Sequence, residues 1–250
     1  MSGVFGVVSR EDCVADLFYG TDYHSHLGTV RGGLAVHDGA GITRFIHDIT
    51  NTQFRSKFED DLPRLRGRRG IGVISDFEAQ PLLINSRHGV YAIVTVGRID
   101  NLDDLVREAL ARNGVHFSEM TAGQVNPTQL VAHLIDQGAT FAEGIALAQE
   151  KIRGSCSLLL LTSRGIYAAR DRLGRTPLVL GRKEGARAVT LETCALPTLG
   201  YQTDRYLGPG EIVFMDAEGV EQLRTPEDRM QVCAFLWVYY GYPASSYEGI

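Results

Sequence analysis

Short apolar runs separated by glycine-containing turns occupy both ends of the chain, and amphipathic stretches fill its middle. Such runs, rich in β-branched and aromatic residues, read as strands. "VFGVV" (4–8) is the first. "EDCVADLFYGTDYHSHL" (11–27) reads as a helix whose acidic start suits the positive end of the helix dipole. "GLAVHD" (33–38) and "ITRFIHDI" (42–49), separated by "GAG", predict a hairpin. "QFRSKFEDDLPRL" (53–65) predicts a helix broken near Pro63. "GIGVIS" (70–75) is a strand, and "PLLINSRHGVYAIVTVGRI" (81–99) a second hairpin turning near His88 and Gly89.

Three helices are predicted next. "NLDDLVREALARNG" (101–114) has Asn101 as an expected cap, acidic residues in its first turn and an Asn-Gly stop. "NPTQLVAHLIDQG" (126–138) places Asn at the cap and Pro in the first turn, and "TFAEGIALAQEKIRG" (140–154) ends on basic residues. Strands then return at 156–162, 165–170, 177–182, 187–192 and 210–216. Hairpins flank a helical middle, with no strand–helix alternation, so the class is α+β with antiparallel sheets. "SLLLLT" is apolar on both faces and needs cover above and below. Two stacked sheets with helices outside supply it.

Composition narrows the function. The formal charge of −5 offers no basic excess for a polyanion, so no nucleic-acid partner is expected. The basic cluster "RLRGRRG" (64–70) is local; it reads first as a solvated helix end entering a turn, and second as a phosphate site. Cys13, Cys156, Cys194 and Cys233 are scattered without a Cys-x-x-Cys pair, which suits a reducing compartment and not a zinc site. The longest apolar run is too short to span a bilayer, and the apolar start lacks a basic region and a cleavage site. A cytoplasmic protein without a membrane partner is expected.

The opening "MSGVFGVV" carries the sharpest chemical question. Ser2 is small enough for Met1 to be removed, which leaves a free α-amino group beside a hydroxyl, the pairing used by N-terminal nucleophile hydrolases. The plain alternative is a strand that starts there for structural reasons. His24 and His26 lie two apart, a spacing that points them to different helix faces, and read as a polar helix end. His133 reads as a buried or partly buried helical residue. The Arg170-Asp171 pair reads as a turn whose charges are satisfied locally, and Gly208, Pro209 and Gly210 as a turn.

Five segments in order carry a family resemblance. "SGVFGVV" at the N-terminus, "RDRLGRTPLVLGR" (170–182), "LETCALPTLGY" (191–201), "YLGPGEIVFMDAEGV" (206–220) and "CAFLWVYYGYPASSYEG" (233–249) together resemble the amidophosphoribosyltransferase family. The first four resemble its N-terminal class II glutamine amidotransferase domain, and the last the segment leading into its phosphoribosyltransferase domain. The resemblance implies a four-layer α-β-β-α sandwich of the N-terminal nucleophile hydrolase type. It places an amidotransferase-like domain at 1–230 and the start of a truncated transferase-type domain at 231–250. It implies a phosphoribosyltransferase partner domain, fused or separate, that would use magnesium and phosphoribosyl pyrophosphate to form phosphoribosylamine in purine synthesis. No cofactor is expected in this chain itself, and a homo-oligomer is compatible. Cys233 matches a position that, in some relatives, helps hold an iron–sulfur cluster with ligands from the second domain.

The same resemblance implies a glutaminase site, and here the residues depart from it. Ser2 stands at the position of the family's nucleophilic cysteine. Ser75 falls where an arginine clamps the substrate carboxylate. Val96 falls on the oxyanion-donating Asn of an "HNG" run, of which Gly97 alone is kept as a substrate-binding position. Pro127 takes the place of the acid that holds the substrate ammonium, and Leu27 that of an arginine near the nucleophile. The expectation is a domain with little or no glutaminase activity. A degenerate scaffold that binds a partner domain is the alternative.

Overall fold

The computed structural model describes every residue except Met1, Asn113, Gly114, Glu119 and Ala122. Its strands are β1 (Gly3–Ser9), β2 (Arg31–His37), β3 (Ile42–Asp48), β4 (Arg69–Ser75), β5 (Leu82–Ser86), β6 (Gly89–Ile99), β7 (Met120–Thr121), β8 (Gln124–Val125), β9 (Gly154–Leu161), β10 (Ile166–Ala169), β11 (Val179–Lys183), β12 (Ala186–Thr190), β13 (Gln202–Tyr206), β14 (Ile212–Met215) and β15 (Val220–Arg224). The α-helices are α1 (Val14–Asp22), α2 (Phe54–Phe58), α3 (Leu102–Leu110), α4 (Pro127–Ile135), α5 (Phe141–Lys151) and α6 (Ala195–Thr198).

The strands form a seven-stranded sheet, β13-β11-β12-β1-β4-β2-β3, a six-stranded sheet, β15-β14-β10-β9-β6-β5, and the ribbon β7-β8. Every pairing described is antiparallel. The sequence of β9 shows how the layers arise. Its side chains alternate between faces, as a strand requires. Leu159 and Leu161 enter the core between the sheets. Leu158 and Leu160 face outward onto Leu130, Val131 and Ile145 of α4 and α5. On the other sheet, Val4 and Val8 of β1 point inward, while Phe5 and Val7 point out under Leu17 and Phe18 of α1. The four layers α-β-β-α follow from this double-sided burial.

Several predicted elements change in detail. The first helix ends at Asp22 instead of continuing to Leu27, and residues 23–27 close as turns. Pro63 sits in a short 3-10 turn, Leu62–Arg64, after α2. The Asn-Gly stop of the helix that starts at 102 lies outside the described residues. Asn101 precedes α3 but does not cap it. Its amide instead donates to the Lys151 carbonyl (2.9 Å) and accepts from the Arg153 N–H (2.8 Å), fastening α3 to the end of α5. Asn126 does cap α4, accepting from the Thr128 N–H at 2.9 Å.

Strands β13 and β15 were not expected from the sequence. Both lie at sheet edges. "QTDRY" and "VEQLR" are largely solvated, so they lack the apolar alternation that announces a half-buried strand. Among the described residues, no helix is long and apolar enough to cross a membrane.

Candidate functional site

β1 runs through the middle of the seven-stranded sheet, between β12 and β4, and brings Ser2 to one mouth of the sandwich. There it lines a cleft of about 400 Å3 with Val96, Gly97, Arg175, Leu191 and the tail residues Cys233 and Leu236. The three candidates Ser2, Gly97 and Cys233 therefore share one cavity. The start of β1 is held tightly. A Cβ on Gly3 would lie 2.5 Å from the Cβ of His24, so only glycine fits beside that ring.

His24 is a correction to the expected polar helix end: it is fully buried. Its Nδ1–H donates to the Gly20 carbonyl at 2.9 Å, which leaves Nε2 to accept from the Thr190 hydroxyl at 3.0 Å. Burial pushes its pKa down to about 4, and the ring is neutral. His26 instead pairs through Nε2 with the buried carboxylate of Glu192 at 2.9 Å. His133 is partly buried on α4.

Behind the cleft, on the face of β6 that carries Thr95 and packs on α4, a hydrogen-bond network joins loop, strand and helix. β5 begins at Leu82, paired with Ile93, so the position opposite Thr95 would be residue 80. The chain has left the sheet there, and the buried Gln80 side chain takes over the strand's role. It accepts from the Thr95 N–H (2.7 Å) and donates to the Thr95 carbonyl (3.1 Å). The Thr95 and Thr128 hydroxyls meet at 2.6 Å, and the Asn126 amide donates to the Ala79 carbonyl at 3.2 Å. Loop 75–81, β6 and α4 are thus locked together.

The positions to which the resemblance assigns substrate contact hold different chemistry. Val96 and Leu27 are buried members of the inter-sheet core. Ser75 is fully buried, and its hydroxyl lies 3.5 Å from Glu78. Burial pushes the Glu78 carboxyl above its ordinary range. A single hydroxyl next to an acid supplies neither the positive charge nor the paired donors of an arginine. Pro127 is the first residue of α4 and has no polar side-chain atom. Gly97 keeps its place for a backbone reason: its φ is +132°, and a Cβ would lie 2.2 Å from the Ser155 carbonyl oxygen.

Glu192, given no role by the sequence reading, organises the tail. It accepts from the Tyr242 N–H at 3.0 Å and from the Tyr247 hydroxyl. Burial pushes its pKa up, but the hydrogen bonds from His26 and Tyr247 outweigh this and hold it below the usual carboxylate value. Asp171 caps its own turn through the N–H groups of Leu173, Arg175 and Thr176, as expected of a locally satisfied charge. Arg170, by contrast, is buried and reaches Glu248 in the tail as well as the Leu207 and Gly174 carbonyls. Leu236 enters the inter-sheet core, with Cys233 packed partly buried against it. Phe235, Trp237, Val238, Tyr239, Tyr240 and Tyr242 remain exposed. Among the described residues, no group of three or more His, Cys, Asp or Glu side chains is arranged to hold a metal ion.

A two-sheet sandwich with its N-terminal strand central and residue 2 in the inter-sheet cleft is the architecture of N-terminal nucleophile hydrolases. The chain belongs to the glutamine amidotransferase domain family, whose model matches residues 68–197. It is 31% identical over 257 residues to an amidophosphoribosyltransferase of Synechocystis, covering 97% of this chain and 51% of that protein. The Methanocaldococcus jannaschii amidophosphoribosyltransferase is 29% identical, with 100% of this chain and 58% of that protein covered. The glutamine phosphoribosylpyrophosphate amidotransferase of B. subtilis, solved with ADP and GMP, superposes with a TM-score of 0.89 at 25% identity, over 99% of this chain and 55% of that one. This chain spans about half the length of the curated relatives it matches.

Proposed function

We propose that this chain is the amidotransferase-like domain of an amidophosphoribosyltransferase-like protein and that its cleft does not hydrolyse glutamine. The observation that carries the reading is Val96. It stands where an oxyanion donor is needed, and it is buried in the core between the sheets. An isopropyl group donates no hydrogen bond, and one such donor is worth about 3–4 kcal/mol in the transition state. Ser75, Pro127 and Leu27 remove the carboxylate clamp, the ammonium acceptor and the arginine beside the nucleophile. Four polar functions on separate elements are not restored by one neighbour.

The test is direct. Mature protein incubated with glutamine is expected to release glutamate at the rate of a blank. Turnover that disappears on Ser2→Ala overturns the reading.

In the parent protein, ammonia would then come from solution or another protein. A transferase domain, fused or separate, would bring magnesium and phosphoribosyl pyrophosphate, and phosphoribosylamine would be the product. The exposed aromatic side chains from Phe235 to Tyr242 favour a second reading, a scaffold module that docks that domain. A cytoplasmic setting accompanies both readings. Co-elution of this chain with a separately expressed phosphoribosyltransferase domain, lost on Trp237→Ser with Tyr239→Ser, is the outcome expected of the module; no co-elution overturns it.

A further inference from the structure

The opposite end of β1 presents different chemistry. Val8, which faces the inter-sheet core, pairs with Arg69 on β4 and with Arg187 on β12. Residues directly opposite one another in a sheet share a face. Both arginines therefore point into the gap between the sheets where the strands end. From the other sheet, the β9–β10 turn contributes Arg164 and the β14–β15 turn contributes Asp216 and Glu218. Arg10, Arg68, Arg69 and Arg164 line one cleft of about 210 Å3. Arg10 also borders two neighbouring clefts, of about 500 Å3 with Arg68 and Arg69, and of about 470 Å3 with Arg187.

These cations are largely unused by the fold. Among the described residues, Arg68, Arg69 and Arg164 have no carboxylate within ion-pairing distance. Arg10 lies 3.8 Å from Glu218, and both side chains are mostly exposed. Arg187 gives one N–H to the Glu218 carbonyl at 3.2 Å, and its Nε is buried without a partner. Arg164 lies over the Phe214 ring, 5.7 Å from its centroid, which limits its freedom. The carboxylates that line the same clefts keep their charge but are oriented by backbone N–H donors. Asp216 accepts from the Glu218 and Gly219 N–H groups, Asp12 from those of Val14 and Gly67, and Asp38 from those of Ala40 and Gly41. Glu11 lines the cleft with Arg68 and Arg69, Glu184 the cleft with Arg187, and both are exposed. At His37, burial first and then the Arg69 charge lower the pKa, against a smaller opposing effect of Asp38.

Five guanidinium groups around connected clefts exceed what one phosphate or carboxylate can occupy. The guanidinium fork matches phosphate oxygens in pairs. The patch is confined to one mouth of a chain of charge −5, which does not suit the long backbone of a nucleic acid. We propose that this mouth is a binding site for an oligophosphate, two or three linked phosphates, free or as the tail of a nucleotide. It stands apart from the Ser2 cleft and from any reading of glutamine chemistry.

Calorimetric titration of the full chain with sodium triphosphate at low salt is the test. One site per chain is expected, with affinity falling as salt rises. The double variant Arg68→Ala/Arg164→Ala removes two exposed side chains and is expected to weaken binding by about tenfold or more. Circular dichroism melting confirms that the variant is folded. Arg98→Ala, an exposed arginine at the Ser2 end, is expected to leave binding unchanged. ATP binding as tightly as triphosphate identifies the free phosphate chain as the ligand, and ATP binding more tightly identifies a nucleotide. Absence of binding in the millimolar range, equal affinity in the folded double variant, or displacement of triphosphate by poly-glutamate at lower concentration overturns the proposal.

Discussion

Behind the Ser2 cleft, on the α4 side of β6, Gln80, Thr95, Asn126 and Thr128 exchange hydrogen bonds among loop, strand and helix. A residue away from Thr95, Val96 joins the apolar core, and neither Ser75 nor Pro127 carries a charge. The polar groups of this network have partners, while the positions matched to the family's site by resemblance are apolar or short. On the proposed reading, the cleft keeps its shape without its chemistry, because the two depend on different side chains. Shape rests on buried backbone groups that must be satisfied wherever the chain leaves a sheet. Chemistry rests on side chains that cost energy to bury unless a ligand meets them.

The largest effect is expected where the frame is broken. Gln80→Ala leaves the buried N–H and carbonyl of Thr95 without partners. Each orphaned group costs about 1–3 kcal/mol, so a loss of about 4 kcal/mol is expected in urea unfolding. A change under about 1 kcal/mol would mean that water or a neighbour replaces the amide.

His24 sharpens the comparison through pH. Its folded pKa of about 4 lies below its ordinary 6.5. The unfolded state therefore binds the proton first, and stability falls as pH drops from about 6.5 to about 4. The loss attributable to this ring is about 3 kcal/mol across that window. In His24→Gln, unfolding measured at pH 7 and pH 4.5 should differ by less than in the natural chain. An unchanged difference would place the acid sensitivity in other groups.

Placing an amide at residue 96 should show the opposite asymmetry. Val96→Asn puts an amide at a site only 6% exposed, within the inter-sheet core. A cost of about 2 kcal/mol is expected, with no glutamate released from glutamine. Glutaminase activity in this single variant would show that the other missing functions are dispensable.

Much of this was legible in the chain. The two-faced apolar run of β9 dictated cover on both sides, and the pattern of hairpins around a helical middle dictated antiparallel sheets. Ser2, Gly97 and Cys233, far apart in sequence, meet at one cleft. What stayed hidden shares a physical cause. β13 and β15 are edge strands without an apolar face. The Asn101 bonds to Lys151 and Arg153 span about half a hundred residues, and no local cap rule anticipates them. His24 lies in a polar stretch, and only the packing of α1 on β1 buries it. In the tail, the rings from Phe235 to Tyr242 are exposed, whereas Leu236 and Tyr247 are buried. Their partners, the inter-sheet core and Glu192, lie on elements that no local pattern links to the tail.

That tail yields the smallest effect and the finest test. The Tyr247 hydroxyl donates to the buried Glu192 carboxylate, beside donors from His26 and Tyr242. Tyr247→Phe removes one donor and leaves the ring in place, so a loss of about 1 kcal/mol is expected. The signal can be read locally, because Trp237 is the only tryptophan of the chain and lies in the tail. Glu192 titrates below its ordinary 4.5 in the folded state. A depressed carboxylate contributes its stabilisation above 4.5, and that contribution is lost as pH falls through the folded value. Trp237 fluorescence should therefore report loosening of the tail in this acid range in the natural chain. In Tyr247→Phe, the folded pKa of Glu192 loses one of the causes that lower it, and loosening should begin at higher pH. Identical acid midpoints in the two proteins would show that Glu192 does not hold the tail, and would leave Leu236 and the Arg170–Glu248 pair as its anchors.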